Sequence, residues 1–511
     1  MTPPRSLVAT LLVILAIVAL LPAPARSGKK AGGRLAVGLA DGDLASLDPI
    51  VPADGASTWA LLHLYDQLVR VGRDGRRVEP AAAESWKVSP DGKTWTFRLR
   101  RGLTFSNGDP VTSEDVRFSL ERAMGRASSR ASRFPPMAGA AAPDPRTVVI
   151  HLREPWAPLL ADLSLLAASI IPARLAREKG RAFWKAPVGS GPFMVTEWVK
   201  GRHITLRRNP AYWQKPYPYL DEVRFEVLAD DRVRVERLRR GDIDIATSVP
   251  PDQVAGFQRD DRFDVYLVPL MRVDHALLNH ARSPFGALRA RQAINHAVNR
   301  DAIVRRVLFG YGRVASSMLP PMLYWNDTLR PYAYSVSLAR AALRQAGMAG
   351  GFSAEMLIAA GDGQAAHTGA LMRQQLKAAG IDLRVTTLPP AHLLRRRQAG
   401  QFDMLKHSYS SDITDPGALV GFALDYEDGA LARWAGYRNP RISRLARQAQ
   451  ATMSPERRRT LYFEIQRLAY DDYYAVPLYY ADTRTVVAVH VRNFRQFPTG
   501  YCRLWEAWRA R

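Results

Sequence analysis

The sequence predicts an α/β architecture, and three observations carry that prediction. Short stretches with period-2 alternation, each with one apolar face, recur along the chain. Segments with apolar residues at helical spacing lie between them, several closed by a glycine. Strands and helices alternate through the first half instead of segregating, and the second half is richer in helix. At 511 residues the chain has room for two to four domains and a large buried core.

The elements follow in order. RLAVGL at 34–39 reads as the first strand, and Leu47-Asp48-Pro49 as the turn after it. Residues 58–69 read as a helix with Leu61, Tyr65 and Leu68 on one face. The block 80–123 is the densest in signals. Ser89-Pro90-Asp91-Gly92 supplies a turn, and Trp95, Phe97 and Leu99 then alternate with Thr94, Thr96 and Arg98 as a half-buried strand. Asn107-Gly108 turns the chain again. Thr112 offers a helix N-cap, with Glu114 and Asp115 in the first turn and Val116, Leu120 and Ala123 along one face. Residues 126–145, rich in Ala, Ser, Arg and Pro, read as loop, 147–152 as a strand and 158–168 as an apolar helix.

A second block opens at Pro187, where Gly189, Gly191 and Pro192 make a tight turn. Strands are predicted at 193–198, 204–208, 223–228 and 241–245, with a helix at 231–240. Further on, 288–299 is helical, and Asp301 is placed as the cap of the next helix. Helices 338–346 and 364–379 end at Gly347 and Gly380. Strands follow at 381–385 and 402–408. Ser454-Pro455-Glu456 reads as N-cap, first-position proline and first-turn acid of a helix lined by Leu461, Ile465 and Leu468. Two last strands fall at 476–480 and 485–489, and no internal repeat is present.

The net charge of +24 invites a nucleic-acid or membrane-surface reading. The basic residues are mostly arginine and dispersed, with no long basic arm and no aromatic-basic motif, so a solvated Arg-rich surface is the better reading. A single cysteine, Cys502, excludes an intrachain disulfide and a zinc-type cluster. Arg5, the apolar run at 7–21 and Pro22-Ala23-Pro24-Ala25 predict a secretory signal peptide over 1–25. The run is shorter than the ~20 residues a membrane-spanning helix needs. No cysteine follows it, so the mature protein is expected to be exported without a lipid anchor.

Enzyme signatures fail. Gly92-Lys93-Thr94 ends like a phosphate-binding loop, but Lys87 stands where the first glycine is needed. Gly189-Ser190-Gly191 lacks nucleophile-elbow spacing. Asp242 and Asp244 have nothing else to mark a glycosidase pair. His275 and His280 do not have the HExxH spacing of a metalloprotease.

From about Leu47 to Trp508 the order of segments resembles family 5 of the bacterial extracytoplasmic solute-binding proteins, the oligopeptide, dipeptide and nickel receptors of ABC importers. The resemblance rests on Leu47-Asp48-Pro49, LYDQLVR at 64–70, the two blocks above, residues 219–246, 289–312 and 376–385, QFDMLKHSYSSDITDP at 401–416, and AVPLYY at 475–480. It implies a two-lobed periplasmic-binding-protein fold of type II, three-domain and cluster C-like, with mixed sheets and a hinged cleft. One lobe is expected from 26–58, 187–269 and 484–511, enlarged by an insertion at 59–186, with 270–483 as the other and crossovers near 270 and 484.

The resemblance also implies site residues. Tyr409-Ser410-Ser411-Asp412 takes the place of a Trp-x-x-Asp, which makes Asp412 the expected partner of a peptide α-ammonium group. The same stretch, with Thr414 and Asp415-Pro416, also reads as a turn or helix cap. His407, Tyr409 and Ser410 are expected to offer backbone to an extended ligand, and His407 could contact a metal chelate. Asp54 and Ala56 are the candidates on the opposite lobe, where a plain loop is the competing reading. The expected function is a periplasmic receptor for peptides or peptide-like amines, working with inner-membrane permease subunits. A nickel chelate, an opine, an oligosaccharide or another small metabolite is the alternative, and an exported hydrolase the remoter one. Non-enzymatic binding is expected, with no cofactor, no metal, no nucleic acid and a monomeric chain.

Overall fold

The structure, a computed structural model, describes residues 32–40, 42–51 and 54–510. The expected signal peptide therefore lies outside the described residues.

A seven-stranded sheet has the spatial order Phe263–Tyr266, Thr485–Ala488, Ile245–Ala246, Arg34–Leu39, Glu222–Val227, His203–Arg208 and Phe193–Val199. Arg34–Leu39 runs parallel to both of its neighbours, and the remaining pairs are antiparallel. Parallel neighbours need long crossover connections, and the chain between Leu39 and Glu222 supplies one. Leu35, Val37 and Leu39 are buried beneath the helix Gly55–Leu64, which brings Trp59, Ala60 and Leu61 to the same core.

That crossover carries a second, four-stranded antiparallel sheet in the order Ala83–Val88, Thr94–Leu99, Thr147–Leu152, Met137–Asp144. Trp95, Phe97 and Leu99 point into its core as the alternation requires. The helix Ser113–Met124 covers it, closed at its start by a capping box between Thr112 and Asp115.

A six-stranded sheet is built from the second half of the chain, in the order Gly312–Val314, Ala475–Ala481, Arg272–Leu278, Met404–Ser410, Phe352–Ala359, Ile381–Leu388. Helices cover both faces, so its central strands read as nearly continuous apolar runs; every residue of Ala475–Ala481 is buried. Buried within it, Asp274 accepts from Arg272 Nε and Lys406 Nζ, both at 2.7 Å. Burial opposes the charge on Asp274, and those two cations overcome it, holding the carboxyl well below its usual range.

The chain passes between the six- and seven-stranded sheets twice, at 266–272 and 481–485, and the two passages lie side by side. Thr483 N donates to Val268 O at 2.8 Å, Val268 N to Thr483 Oγ1 at 2.9 Å, and Leu270 N to Ala481 O at 3.0 Å.

Several local expectations are corrected. The stretch 126–145 contains the strand Met137–Asp144; MAGAAAPD has no β-branched residue, and its extended form comes from pairing with Thr147–Leu152. The helix expected at 158–168 splits into Leu159–Asp162 and a 3₁₀ turn at Leu166–Ala168. The helix expected at 58–69 is Gly55–Leu64, after which Val69–Val71 is extended. Asn299, not Asp301, caps Arg300–Val307, accepting from Ala302 N at 2.9 Å.

Asp54 caps the helix Gly55–Leu64. Its carboxylate accepts from Ser57 N at 2.9 Å and Ser57 Oγ at 2.6 Å, and from the amides of Asp43 at 3.1 Å, Leu44 at 3.3 Å and Ala45 at 3.1 Å. Partial burial raises its pKa, and these bonds outweigh that and bring it to about 2. A depressed carboxyl stabilises the fold above its unfolded value and loses that contribution as pH falls. Asp54→Ala is expected to cost about 2 kcal/mol in urea unfolding at pH 7, with a smaller deficit at pH 3. A deficit equal at both pH values would contradict this account.

Candidate functional site

A cavity lies where the three sheets' connecting segments meet. Thr58 and Leu62, one turn apart on the helix Gly55–Leu64, give one wall, and Asp66, Gln67 and Arg70 continue it. The C-terminal segment adds Tyr501, Arg503 and Trp505. Arg130, from the turn after the helix Ser113–Met124, gives a rim on the four-stranded side. Asp412, from the loop after the strand Met404–Ser410, is the lining residue contributed by the six-stranded body.

The two sides touch directly. Arg133 Nη1 donates to Tyr409 Oη at 3.1 Å and to Ala418 O at 3.2 Å, and its guanidinium lies over the Phe422 ring at 5.8 Å. Nearby, Ala157 N donates to Gln450 O at 2.8 Å. These contacts bridge the two sides.

Charges on the floor are largely spent within the protein. Glu79 accepts from Arg70 Nε and Arg503 Nη1, both at 2.9 Å, and Arg70 also reaches Gln214 Oε1 at 3.2 Å. Asp66 accepts from Trp213 Nε1 at 2.9 Å. Burial pushes its carboxyl up to about 6, against the opposing pull of Trp213, Arg70 and Arg100. Arg130 and Asp412 differ: neither side chain has a hydrogen bond or an ion pair within 4 Å among the described residues.

Of the six residues singled out from the sequence, Asp412 stands on the cavity wall. The turn reading of its segment belongs to Asp415, which accepts from Gly417 N at 2.8 Å and pairs with Arg458 at 2.7 Å. Tyr409 is buried behind the wall, bonded to Arg133 and packed on Phe422. Ser410 ends its strand opposite Arg272. His407 faces His275 across the strand pair at 5.3 Å, and its Nε2 accepts from Arg397 at 3.1 Å. Burial, with His275 and neighbouring cations, holds that imidazole well below its ordinary pKa, so it is neutral. Asp54 is occupied as a cap, and Ala56 is buried in the first turn of the helix it opens.

The sequence reading missed Arg130, Asp66, Arg503 and Trp505. Asp66 lies inside LYDQLVR, where a charged residue within an apolar run was an available signal. Arg130 is one arginine in an unremarkable loop, and Arg503 and Trp505 reach the cavity only through tertiary folding. Among the described residues no three His, Cys, Asp or Glu side chains converge to hold a metal ion, and no helix is long and apolar enough to cross a membrane.

Two α/β bodies joined by paired crossings, with a cleft between them, define a type II periplasmic binding protein. Residues 77–429 match the model of the bacterial extracellular solute-binding proteins, family 5, and the chain belongs to that family. It is 30% identical to the di/tripeptide-binding protein 2 of Pseudomonas aeruginosa (strain UCBPP-PA14), covering 88% of this chain and 90% of that one. Among solved structures it is similar to the Helicobacter pylori periplasmic binding protein DppA in complex with the peptide STSA. There the TM-score is 0.83 at 27% identity, over 94% of this chain and 99% of that one. It is likewise similar to the binding protein AgaA of A. tumefaciens R10 in complex with agropinic acid, with a TM-score of 0.81 at 27% identity over 94% and 99% of the two chains.

A carboxyl raised from 3.8 to about 6 keeps its proton in the fold longer than in the unfolded chain, so stability is lost as pH rises through that window. Asp66→Asn removes the titration and keeps an acceptor for Trp213. It is expected to match the parent in urea unfolding at pH 4 and to exceed it at pH 7.5 by up to about 3 kcal/mol. A stability difference independent of pH would show that Asp66 is not the group responsible.

Proposed function

We propose that this chain is a periplasmic receptor that captures a short peptide or peptide-like amine and hands it to the permease of an ABC importer. Asp412 carries the reading: it stands on the cavity wall, and among the described residues its carboxylate has no hydrogen bond or ion pair within 4 Å. A peptide ammonium shielded from water there gains far more from a carboxylate than it would at an open surface. The relatives that bind di- and tripeptides, and the similar structure that holds STSA, support the same ligand class.

In this reading residues 26–58, 187–269 and 484–511 form one lobe with 59–186 inserted in it, and 270–483 form the other. The paired passages at 266–272 and 481–485 act as the hinge. Binding is non-covalent, without turnover, cofactor or nucleic acid, by an exported monomer. An opine is the second reading, favoured by the similarity to the agropinic acid complex.

The test is a thermal-shift and calorimetric panel on ligand-stripped protein, using di- to pentapeptides with free or acetylated N-termini, opines and nickel with histidine. A ligand that binds only the folded state raises the melting temperature. Peptides with a free amine are expected to bind and acetylated ones to fail. Asp412→Ala is expected to weaken binding by about 2 kcal/mol or more, roughly thirtyfold in Kd. Equal binding of acetylated peptides would remove Asp412 from the site, and no response to any peptide would remove the peptide reading.

A further inference from the structure

We propose that the helical layer on one face of the six-stranded sheet docks on an anionic lipid surface. The proposal does not depend on what the cleft binds, and none of the residues that carry it lines the cavity.

Arginines that are dispersed along the chain are gathered here by folding. The helices Leu288–Ala297, Arg300–Val307, Val336–Gln345 and Gly363–Ala379 share one core, to which they bring Ala293, Ile303, Leu343 and Met372. They are tied to one another as well. Ser335 N donates to His296 O at 2.8 Å, Arg340 Nη2 to Ala378 O at 2.7 Å, and Asn299 N to Gln375 Oε1 at 3.0 Å. Away from that core the first two helices expose Arg289, Arg305 and Arg306, and the other two expose Arg340, Arg344, Arg373 and Lys377. None of these cations has a carboxylate oxygen within 4 Å among the described residues. The acids in these helices and their caps are Asp301 and Asp362, and Asp362 is occupied in accepting from Ala365 N at 2.8 Å. Elsewhere exposed arginines have acids at hand: Arg174 pairs with Asp109 and Glu178, Arg240 with Glu236 and Asp242, and Arg441 with Glu464.

Apolar side chains stand among those cations. Leu288, Phe309 and Leu338 are exposed, each on a different helix of the layer or at its end. Phe309 is 56% exposed and lies three residues beyond Arg306, with φ at 52°. A bulky side chain rarely adopts that left-handed conformation, and asparagine or glycine would hold it with less strain. Most of the ring faces solvent, so core packing does not account for it. Single apolar tips interleaved with cations suit a lipid surface: the headgroup phosphates need no fixed register, and each tip enters the boundary with the acyl chains. A protein partner would favour a contiguous apolar centre with a polar rim, whereas these three residues are distributed over the layer.

Cosedimentation with vesicles tests this, using phosphatidylcholine alone and phosphatidylcholine mixed with phosphatidylglycerol. Two variants lose the same charge. One carries Arg305→Gln, Arg306→Gln, Arg344→Gln and Arg373→Gln on the layer. The other carries Arg101→Gln, Arg126→Gln, Arg181→Gln and Arg202→Gln on the body of the seven- and four-stranded sheets. All eight arginines are exposed and have no side-chain bond to lose among the described residues, so both variants are expected to melt with the parent. They share the parent's N-terminal segment, so its contribution cancels in the comparison. The parent is expected to bind the mixed vesicles and not the neutral ones, and to be released by salt. The layer variant is expected to bind about tenfold more weakly or worse, and the other within about twofold of the parent. Phe309→Asn, which suits the left-handed turn, is expected to weaken binding by about threefold. Equal binding to neutral vesicles, or equal loss in the two charge variants, would overturn the proposal. A parent that binds neither vesicle would overturn it too, and would point to an acidic protein surface as the occupant instead.

Discussion

The two side-by-side passages of chain at 266–272 and 481–485 set the terms for the rest of the molecule. Each sheet lies on its own side of them and buries its own core: Leu35, Val37 and Phe225 belong to one, and Ala276, Met356 and Leu478 to another. Neither body needs the other to cover its apolar surface. What faces the cleft can therefore be polar, and among the described residues the hydrogen bonds between the bodies include Arg133 with Tyr409 and Ala418, Ala157 with Gln450, and Tyr311 with Gln258. Hydrogen bonds of this kind contribute about 1 kcal/mol each.

The arginine content, which could suggest a polyanion partner, has a structural use. Arg234 is fully buried and donates to Thr247 O at 2.9 Å, Leu228 O at 2.6 Å and Ser248 O at 2.9 Å. Arg300 donates to Pro477 O at 2.5 Å and Asn295 O at 3.0 Å. Arg458 joins Asp415 and Ala449 O. Each guanidinium satisfies several carbonyl or carboxylate oxygens at once, where a lysine would reach fewer in less fixed directions. Burying such a cation is tolerable because its donors are nearly all used.

What the sequence made legible was local. The capping box at Thr112 and Asp115, the cap at Ser454 before Pro455, and the left-handed Gly380 after the helix Gly363–Ala379 are each decided within a few residues. The order of segments reached further, to the family, because many weak local signals agreed. What depended on distant partners was not legible. Met137–Asp144 is extended because of the strand beside it. His407 reads as a cleft residue in the chain, and His275 and Arg397 enclose it in the fold. Arg503 and Trp505 join a wall begun by Thr58, far away in sequence.

Four aspartates show how environment, not residue type, divides the roles. Asp54 accepts from four backbone amides and a hydroxyl, so its charge is spent on a helix start. Asp66 is buried with one indole donor, too few bonds to hold its charge easily, and its carboxyl rises to about 6. Asp415 has both a guanidinium and a backbone amide. Asp412, three residues earlier, has none of these and lies on the cavity wall. The loop thus separates two tasks that the sequence left merged in one run: Asp415 holds the backbone in place, and Asp412 keeps a carboxylate unspent. In the proposed receptor that division matters, because a carboxylate already paired inside the protein offers a ligand only the difference between two similar bonds.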